Sequence, residues 1–227
     1  MRALTETLAL ELVERGVGLS PLDRAVLLVA TIDGVSSKRA GELPLDQRDR
    51  RLIDACIQSF GSRIVFFARC PECREGHEAE FDLSDLPTVG VREVECEIDG
   101  RVVRLSPPTS RSVAKAAVAG DPAALLRSCV QNVPARPAAD FAAKIEAQLA
   151  DSFPLLDISF ELRCEACKTA FNSRFDVGEW LWRQVCDLAQ RAVDAVHTLA
   201  RAYGWSERQI LRMSPARRAM YLARVLS

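Results

Sequence analysis

The sequence predicts an α+β protein in which two related hairpins form a small β core and helices lie before, between and after them. Three observations carry this. The segment FFARCPECREGHEAEFDL, Phe66 to Leu83, has a second copy in FELRCEACKTAFNSRFDV, Phe160 to Val177. In register, Arg69, Cys70, Cys73, Phe81, Asp82 and Leu83 answer to Arg163, Cys164, Cys167, Phe175, Asp176 and Val177. A repeat of this kind constrains architecture before any single element does. Second, Val94, Cys96 and Ile98 alternate up to Asp99-Gly100, and Val103 and Leu105 alternate back, the pattern of a two-residue hairpin. Third, apolar residues elsewhere recur at helical spacing.

The helices are expected as follows. Leu4, Leu8 and Leu12 mark one over residues 3 to 15, stopped by Gly16 and Gly18. Ser20-Pro21 starts the next, a capping hydroxyl followed by proline at the first helical position. Asp33 to Pro44 reads as a loop. A third helix opens at Asp46, buries Leu52, Ile53, Cys56, Ile57 and Phe60, and ends at Gly61. Its RDRR turn, Arg48 to Arg51, reads as a solvated charged face or a contact patch. Ile64 to Ala68 and Leu156 to Leu162 read as strands leading into the two Cys-x-x-Cys turns. Beyond the Asp-Gly hairpin a helix starts at Thr109 or Ser110. Asp121-Pro122 caps a short one with Leu125, Leu126 and Cys129 inward, and Pro134 and Pro137 bound a turn. Ala138 to Leu149 is helical, with Phe141, Ile145 and Leu149 inward. Asp176 caps the longest helix, which runs to about Tyr203. Its seam is Leu181, Val185, Leu188, Ala192, Val196, Leu199 and Tyr203, packed on the β core. Gly204 ends it. Ser206 with Gln209 forms a capping box, and Ser214-Pro215 starts a last helix.

We expect one domain over 1–227. Its subregions are the N-terminal helices (1–62), the first knuckle and hairpin (63–105), the middle helices (106–150), the second knuckle (151–177), and the long helix with its C-terminal arm (178–227). Apolar residues make up 48% and charged residues 27%, with a net charge of −1, so no global charge points to nucleic acid. Neither a signal peptide nor a membrane span is expected, which places the eight cysteines in a reducing cytoplasm. Cys56, Cys96, Cys129 and Cys186 fall among apolar residues and read as small buried hydrophobes.

Two Cys-x-x-Cys turns supply four sulfurs, the number a closed tetrahedral zinc site needs. Cys70, Cys73, Cys164 and Cys167 are therefore the expected ligands of one structural zinc. Two disulfides, or reduced pairs without metal, are the alternatives. His77 lies near the first knuckle, but its counterpart is Phe171, so the repeat does not treat that position as a ligand. There is no phosphate-cradling glycine loop and no Gly-x-Ser-x-Gly, and with only His77 and His197 a nucleophile–histidine pair has little to draw on. We expect no enzyme. The tail combines Trp205, Ile210, Leu211, Met213, Tyr221 and Leu222 with Arg201, Arg208, Arg212, Arg217, Arg218 and Arg224. Aromatics, Met and Arg together are the composition of a protein-interface core. Trp205, Arg208, Met213, Arg217, Arg218 and Tyr221 are thus candidate partner-binding residues. The alternatives are a helical cap packed on its own domain, and a nucleic-acid reader.

One ordered set of segments resembles a known family. It comprises Pro21-Leu-Asp-Arg, Gln47-Arg-Asp, the CPEC at 70–73, Pro108-Thr-Ser and the second Cys-x-x-Cys. It closes with Val196-His-x-Leu-Ala-x-x-Tyr-Gly-Trp-Ser-Glu and Ser214-Pro-x-Arg-Arg-x-x-Tyr-Leu. The chain resembles the T4-like baseplate hub assembly chaperones of contractile phage tails and phage-tail-like injection systems. The resemblance implies a non-enzymatic role in building the hub or spike region, with a hub or spike protein as partner. Zinc knuckles are not uniform in that group, so the metal rests on cysteine spacing alone. A zinc-ribbon nucleic-acid-binding regulator is the alternative function.

Overall fold

The computed structural model describes residues 3–89, 93–131 and 138–226. Four helices come first: α1 (Glu6–Gly16), α2 (Pro21–Asp33), α3 (Ser37–Gly41) and α4 (Leu45–Phe60). Thr5, Ser20 and Ser36 cap the first three by accepting backbone N–H bonds from Leu8, Asp23 and Arg39. The short α3 lies where a loop was expected. It forms because Ser36 caps it and Ala40 is fully buried.

The first hairpin pairs β1 (Arg63–Arg69) with β2 (Gly76–Asp82). A three-stranded sheet follows, in the order β3 (Val94–Ile98), β4 (Arg101–Leu105), β5 (Val130–Gln131). Asp99 and Gly100 both have positive φ, as the tight β3–β4 turn requires. Between β4 and β5 lie α5 (Ser110–Ala119) and α6 (Pro122–Ser128), capped by Thr109 and Asp121 as expected. Then come α7 (Ala139–Ser152), a 3-10 turn at Pro154–Leu156, and the second hairpin of β6 (Ser159–Arg163) and β7 (Ala170–Arg174). Proline at 154 keeps the turn out of the ladder, so the strand starts three residues later than the apolar run suggests. The chain ends in α8 (Val177–Tyr203), α9 (Glu207–Leu211) and α10 (Pro215–Leu226). The turn expected between Pro134 and Pro137 lies outside the described residues. Among the described residues, no helix is long and apolar enough to cross a membrane.

The architecture is α+β, with one refinement. The two knuckle hairpins are separate ladders that share no backbone hydrogen bonds, and side chains join them. The larger core lies between α1, α2, α4, α8 and the inner faces of the knuckle hairpins, around Leu12, Leu28, Ile32, Leu52, Ile53 and Leu181. A smaller core, with Val103, Leu105, Phe141, Ile145 and Phe153, lies between the β3–β4–β5 sheet and α7.

Helix α8, about 40 Å long, packs mainly on α1, α2 and α4 rather than on the strands. Its seam also shifts. Ala189, Ala192 and Ala195 are buried, while Leu188 and Val196 are only half-buried and Tyr203 is exposed. Small side chains at the contact let neighbouring helices approach closely. The tightest approach is at Gly16, where a Cβ would come within 2.0 Å of the Trp182 ring.

The RDRR turn is not a solvated face. Arg48 and Asp49 are both only 9% exposed. Arg48 donates to Asp49 Oδ1 at 2.7 Å and to Ser110 Oγ at 3.1 Å. Alongside, Leu45 N–H donates to the Pro108 carbonyl. The pair is buried because α4 begins against the start of α5, where the two cores meet. Burial pushes the Asp49 carboxyl up to about 6, although Arg48 beside it pulls the other way. The folded protein thus holds a proton on Asp49 that the unfolded chain has released between about pH 4 and 6. Its ionised form costs stability above pH 6, and that cost fades toward pH 4.

Replacing Arg48 with Met leaves Asp49 buried without its counter-charge. Arg48→Met is expected to cost about 3–5 kcal/mol, read from denaturant midpoints at pH 7. The deficit should shrink as the pH falls through 6. The double variant Arg48→Met/Asp49→Leu should recover most of the loss.

Candidate metal centre and C-terminal arm

The two Cys-x-x-Cys turns are built alike. In the first, Cys70 N–H donates to the Glu75 carbonyl at 2.9 Å and Arg74 N–H to the Cys70 carbonyl at 3.0 Å. In the second, Cys164 N–H donates to Thr169 and Lys168 N–H to Cys164, both at 2.9 Å. Arg74 and Lys168 both take positive φ, 62° and 64°. A non-glycine residue pays about 1–2 kcal/mol for that conformation, and here it closes each knuckle.

The triplets that end the two copies explain themselves. Phe81 and Phe175, with Phe66 and Phe160 from the opening strands, form a cluster in which all six ring pairs lie 4.4–6.5 Å apart. Asp82 accepts from Ser84 N–H, and Asp176 from Glu179 N–H, so each caps the turn that follows. Leu83 and Val177 are then buried.

This packing sets the knuckles face to face. Cys70 Sγ lies 3.5 Å from Cys167 Sγ, and Cys73 Sγ lies 3.5 Å from Cys164 Sγ. The four sulfurs all lie within 4.8 Å of one another and could hold a metal ion. A tetrahedron with Zn–S bonds of 2.3 Å has edges of about 3.8 Å, so the donor set fits in kind and in size. Cys70 and Cys164 are buried, while Cys73 and Cys167 are exposed. Hydrogen bonds from the Thr169 side chain and backbone bring the Cys167 thiol down to about 6. The backbone at Glu75 lowers Cys73, but its sulfur neighbours outweigh that and push it up to about 12. Four thiolates cannot crowd together without a cation to offset their charge.

His77 Nε2 lies 3.3 Å from Cys164 Sγ, and its ring sits 5.9 Å from that of its counterpart Phe171. It is within hydrogen-bond reach of a sulfur but outside the four-sulfur group. Of the other cysteines, Cys56 and Cys129 are buried as expected, and desolvation pushes Cys56 up to about 12. Cys96 and Cys186 are only half-buried.

The arm folds back onto α8. Trp205 stacks on Tyr203 with ring centroids 4.5 Å apart and meets Tyr221 edge-on at 4.9 Å. Ile210 is fully buried, and Leu211, Met213, Tyr221 and Leu222 are half-buried. Arg218 departs from expectation. It is 3% exposed and donates to the Glu6 carboxylate of α1 and the Ile210 carbonyl. It ties the last helix to the first and is not presented to a partner. Arg208 and Arg217 are exposed, and Arg217 lies over the Tyr221 ring at 5.9 Å. Met220, 71% exposed, was missed. Its signal was the three-residue spacing from Arg217 on one face of α10.

Residues 26–136 match the family model for the T4 bacteriophage base plate protein. The chain is similar to that baseplate family over this stretch, just under half of its length. The match runs from within α2 past the first knuckle and beyond β5, so the second knuckle, α8 and the arm lie outside it. No curated protein and no solved structure matches the chain.

Because Arg218 is turned inward, Arg218→Ala leaves Glu6 and Ile210 without their donor. A loss of about 1–3 kcal/mol is expected, read by thermal or urea unfolding. Arg217→Ala, on the outer face, should leave the midpoint unchanged.

Proposed function

We propose that this protein is a non-enzymatic assembly factor that binds hub or spike proteins as a contractile tail or phage-tail-like injection machine is built. The baseplate-family match at residues 26–136 carries the reading. The likeness of the arm segments to the hub assembly chaperones supports the finer assignment, as does the exposed Arg208, Arg217 and Met220 around a Trp–Tyr cluster. Arginines and aromatics dominate interface energetics. The same arginines support a second reading, a zinc-ribbon binder of nucleic acid. Retention of the source phage's or host's DNA or RNA that falls steeply with salt would favour that reading. Copurification of the chain with hub or spike proteins would favour the first.

In this reading the metal is a structural zinc. Cys70, Cys73, Cys164 and Cys167 would hold it, and four thiolates would close its coordination shell. When bound, it supplies cross-linking and offsets thiolate charge. The residues themselves do the rest, with the φ-positive turns presenting the sulfurs and the four-phenylalanine cluster holding the knuckles in register.

Elemental analysis of the purified chain should give one zinc per molecule. Cys70→Ser and Cys164→Ser should lose it equally and lower stability, since binding energy at such a site is folding energy. Cys56→Ser and Cys186→Ser should retain it. No metal, or two ions per chain, would refute the one-site reading.

Arm binding is tested with variants that leave the fold alone. Arg217→Ala and Arg208→Ala should each weaken affinity for the copurifying hub or spike protein by roughly 10-fold or more, measured by calorimetry, with unchanged melting. Unaltered affinity in both would remove the arm from the interface.

A further inference from the structure

We propose that the edge of β1 around Phe67, beyond the point where Trp180 covers Val65, is a second docking surface, which takes an extended segment of a partner protein bearing alternating apolar residues and a Lys or Arg. Strand register fixes which backbone groups are free. Leu83 N–H donates to the Ser62 carbonyl and Cys70 N–H to the Glu75 carbonyl, so the even-numbered residues from 62 to 70 bond toward β2. In an antiparallel pair the alternate residues then turn their N–H and C=O groups outward. Those are Arg63, Val65, Phe67 and Arg69. The Val65 carbonyl accepts from Trp180 Nε1 at 3.1 Å, which confirms the outward direction. Phe67 has no backbone hydrogen bond to any described residue on that side.

The side chains at these positions are unusual for a free edge. Val65 is 45% exposed and Phe67 is 71% exposed. An apolar edge strand invites pairing with another chain, and proteins normally blunt it with polar or charged groups. The second hairpin is an internal control. Its residues at the same places, 94 further on, are Ser159 and Glu161, both exposed. The hairpin therefore folds with polar groups there, and the knuckle does not require Val65 and Phe67 to be apolar.

The charge beside the edge selects the occupant. A groove of about 340 Å³ runs between the β1 edge and the start of α8; its charged lining is Asp176, Glu179 and Asp187 against Arg174 and Arg183. Arg183 sits 3.7 Å from Glu179 Oε1. Asp176 and Asp187 are exposed at the groove wall. A cationic side chain on the incoming segment would pair with the exposed Asp187. Adding a strand to an exposed sheet edge is an established mode of peptide recognition, with backbone bonds giving affinity and alternate side chains giving specificity. This surface does not depend on the arm, so the failure of one leaves the other standing.

The test uses the full-length metal-loaded chain and fluorescein-labelled decapeptides that alternate Val and Thr and carry one Lys. Fluorescence anisotropy should show saturable binding. Affinity should fall at least 10-fold when the Lys is replaced by Glu, or when alternate peptide nitrogens are methylated. Val65→Ser/Phe67→Glu, which installs the second hairpin's residues, should abolish binding and leave melting unchanged. Asp187→Asn should weaken only the Lys peptide. The proposal is overturned by no binding at millimolar peptide, or by equal binding to the Val65→Ser/Phe67→Glu chain. It is also overturned by a wild-type dimer in sedimentation that the same substitutions convert to monomer, since the edge would then pair with a second copy.

Discussion

Closure of the two knuckles is the constraint on which the rest of the chain depends. Cys70 and Cys167 are 97 residues apart and their sulfurs are 3.5 Å apart. By analogy with a disulfide, fixing two points so distant in an unfolded chain removes about 4–5 kcal/mol of entropy. The phenylalanine cluster helps to offset this in the folded state, since its four rings come equally from the two copies. Everything between residues 70 and 164 must then leave from and return to one place. The β3–β4–β5 sheet and α7 accordingly form a satellite with its own core.

The framework is repeated, but its use is not. After Asp82 the first copy enters a three-residue 3-10 turn, whereas after Asp176 the second enters a helix of 27 residues. The same cap thus starts a brief turn in one case and the molecule's main pillar in the other. His77 reaches a sulfur where Phe171 fills space. Duplication fixes the geometry that closes the site, and positions that do not serve closure are free to diverge.

The sequence revealed most where the physics is local. Ser20-Pro21, Asp99-Gly100, Asp121-Pro122 and the Ser206–Gln209 box each act within four residues, and the structure has a boundary at every one. The four sulfurs were legible because a repeat carries long-range information in a local form. What remained hidden depends on tertiary neighbours. Arg48, Asp49 and Arg218 look solvated in any helical projection, and they are buried only because α5 or α1 happens to cover them. The partners of α8 were misjudged because a seam states that something packs there without saying what. Helix α3 and strand β5, five and two residues long, are shorter than any periodicity can register.

The pairing of α1 with α8 governs the order in which the chain can finish folding during synthesis. The apolar face of α1, including Leu8 and Leu12, is complete once Gly16 has been made, yet the helix that covers it ends at Tyr203. At translation speeds of roughly 5–20 residues per second, that interval is on the order of 10–40 s. Throughout it, the nascent chain carries an uncovered greasy ridge beside Gly16, the notch shaped for Trp182. The earlier helices are the ones left waiting, and the ribosome must release the chain through α8 before they can be sealed.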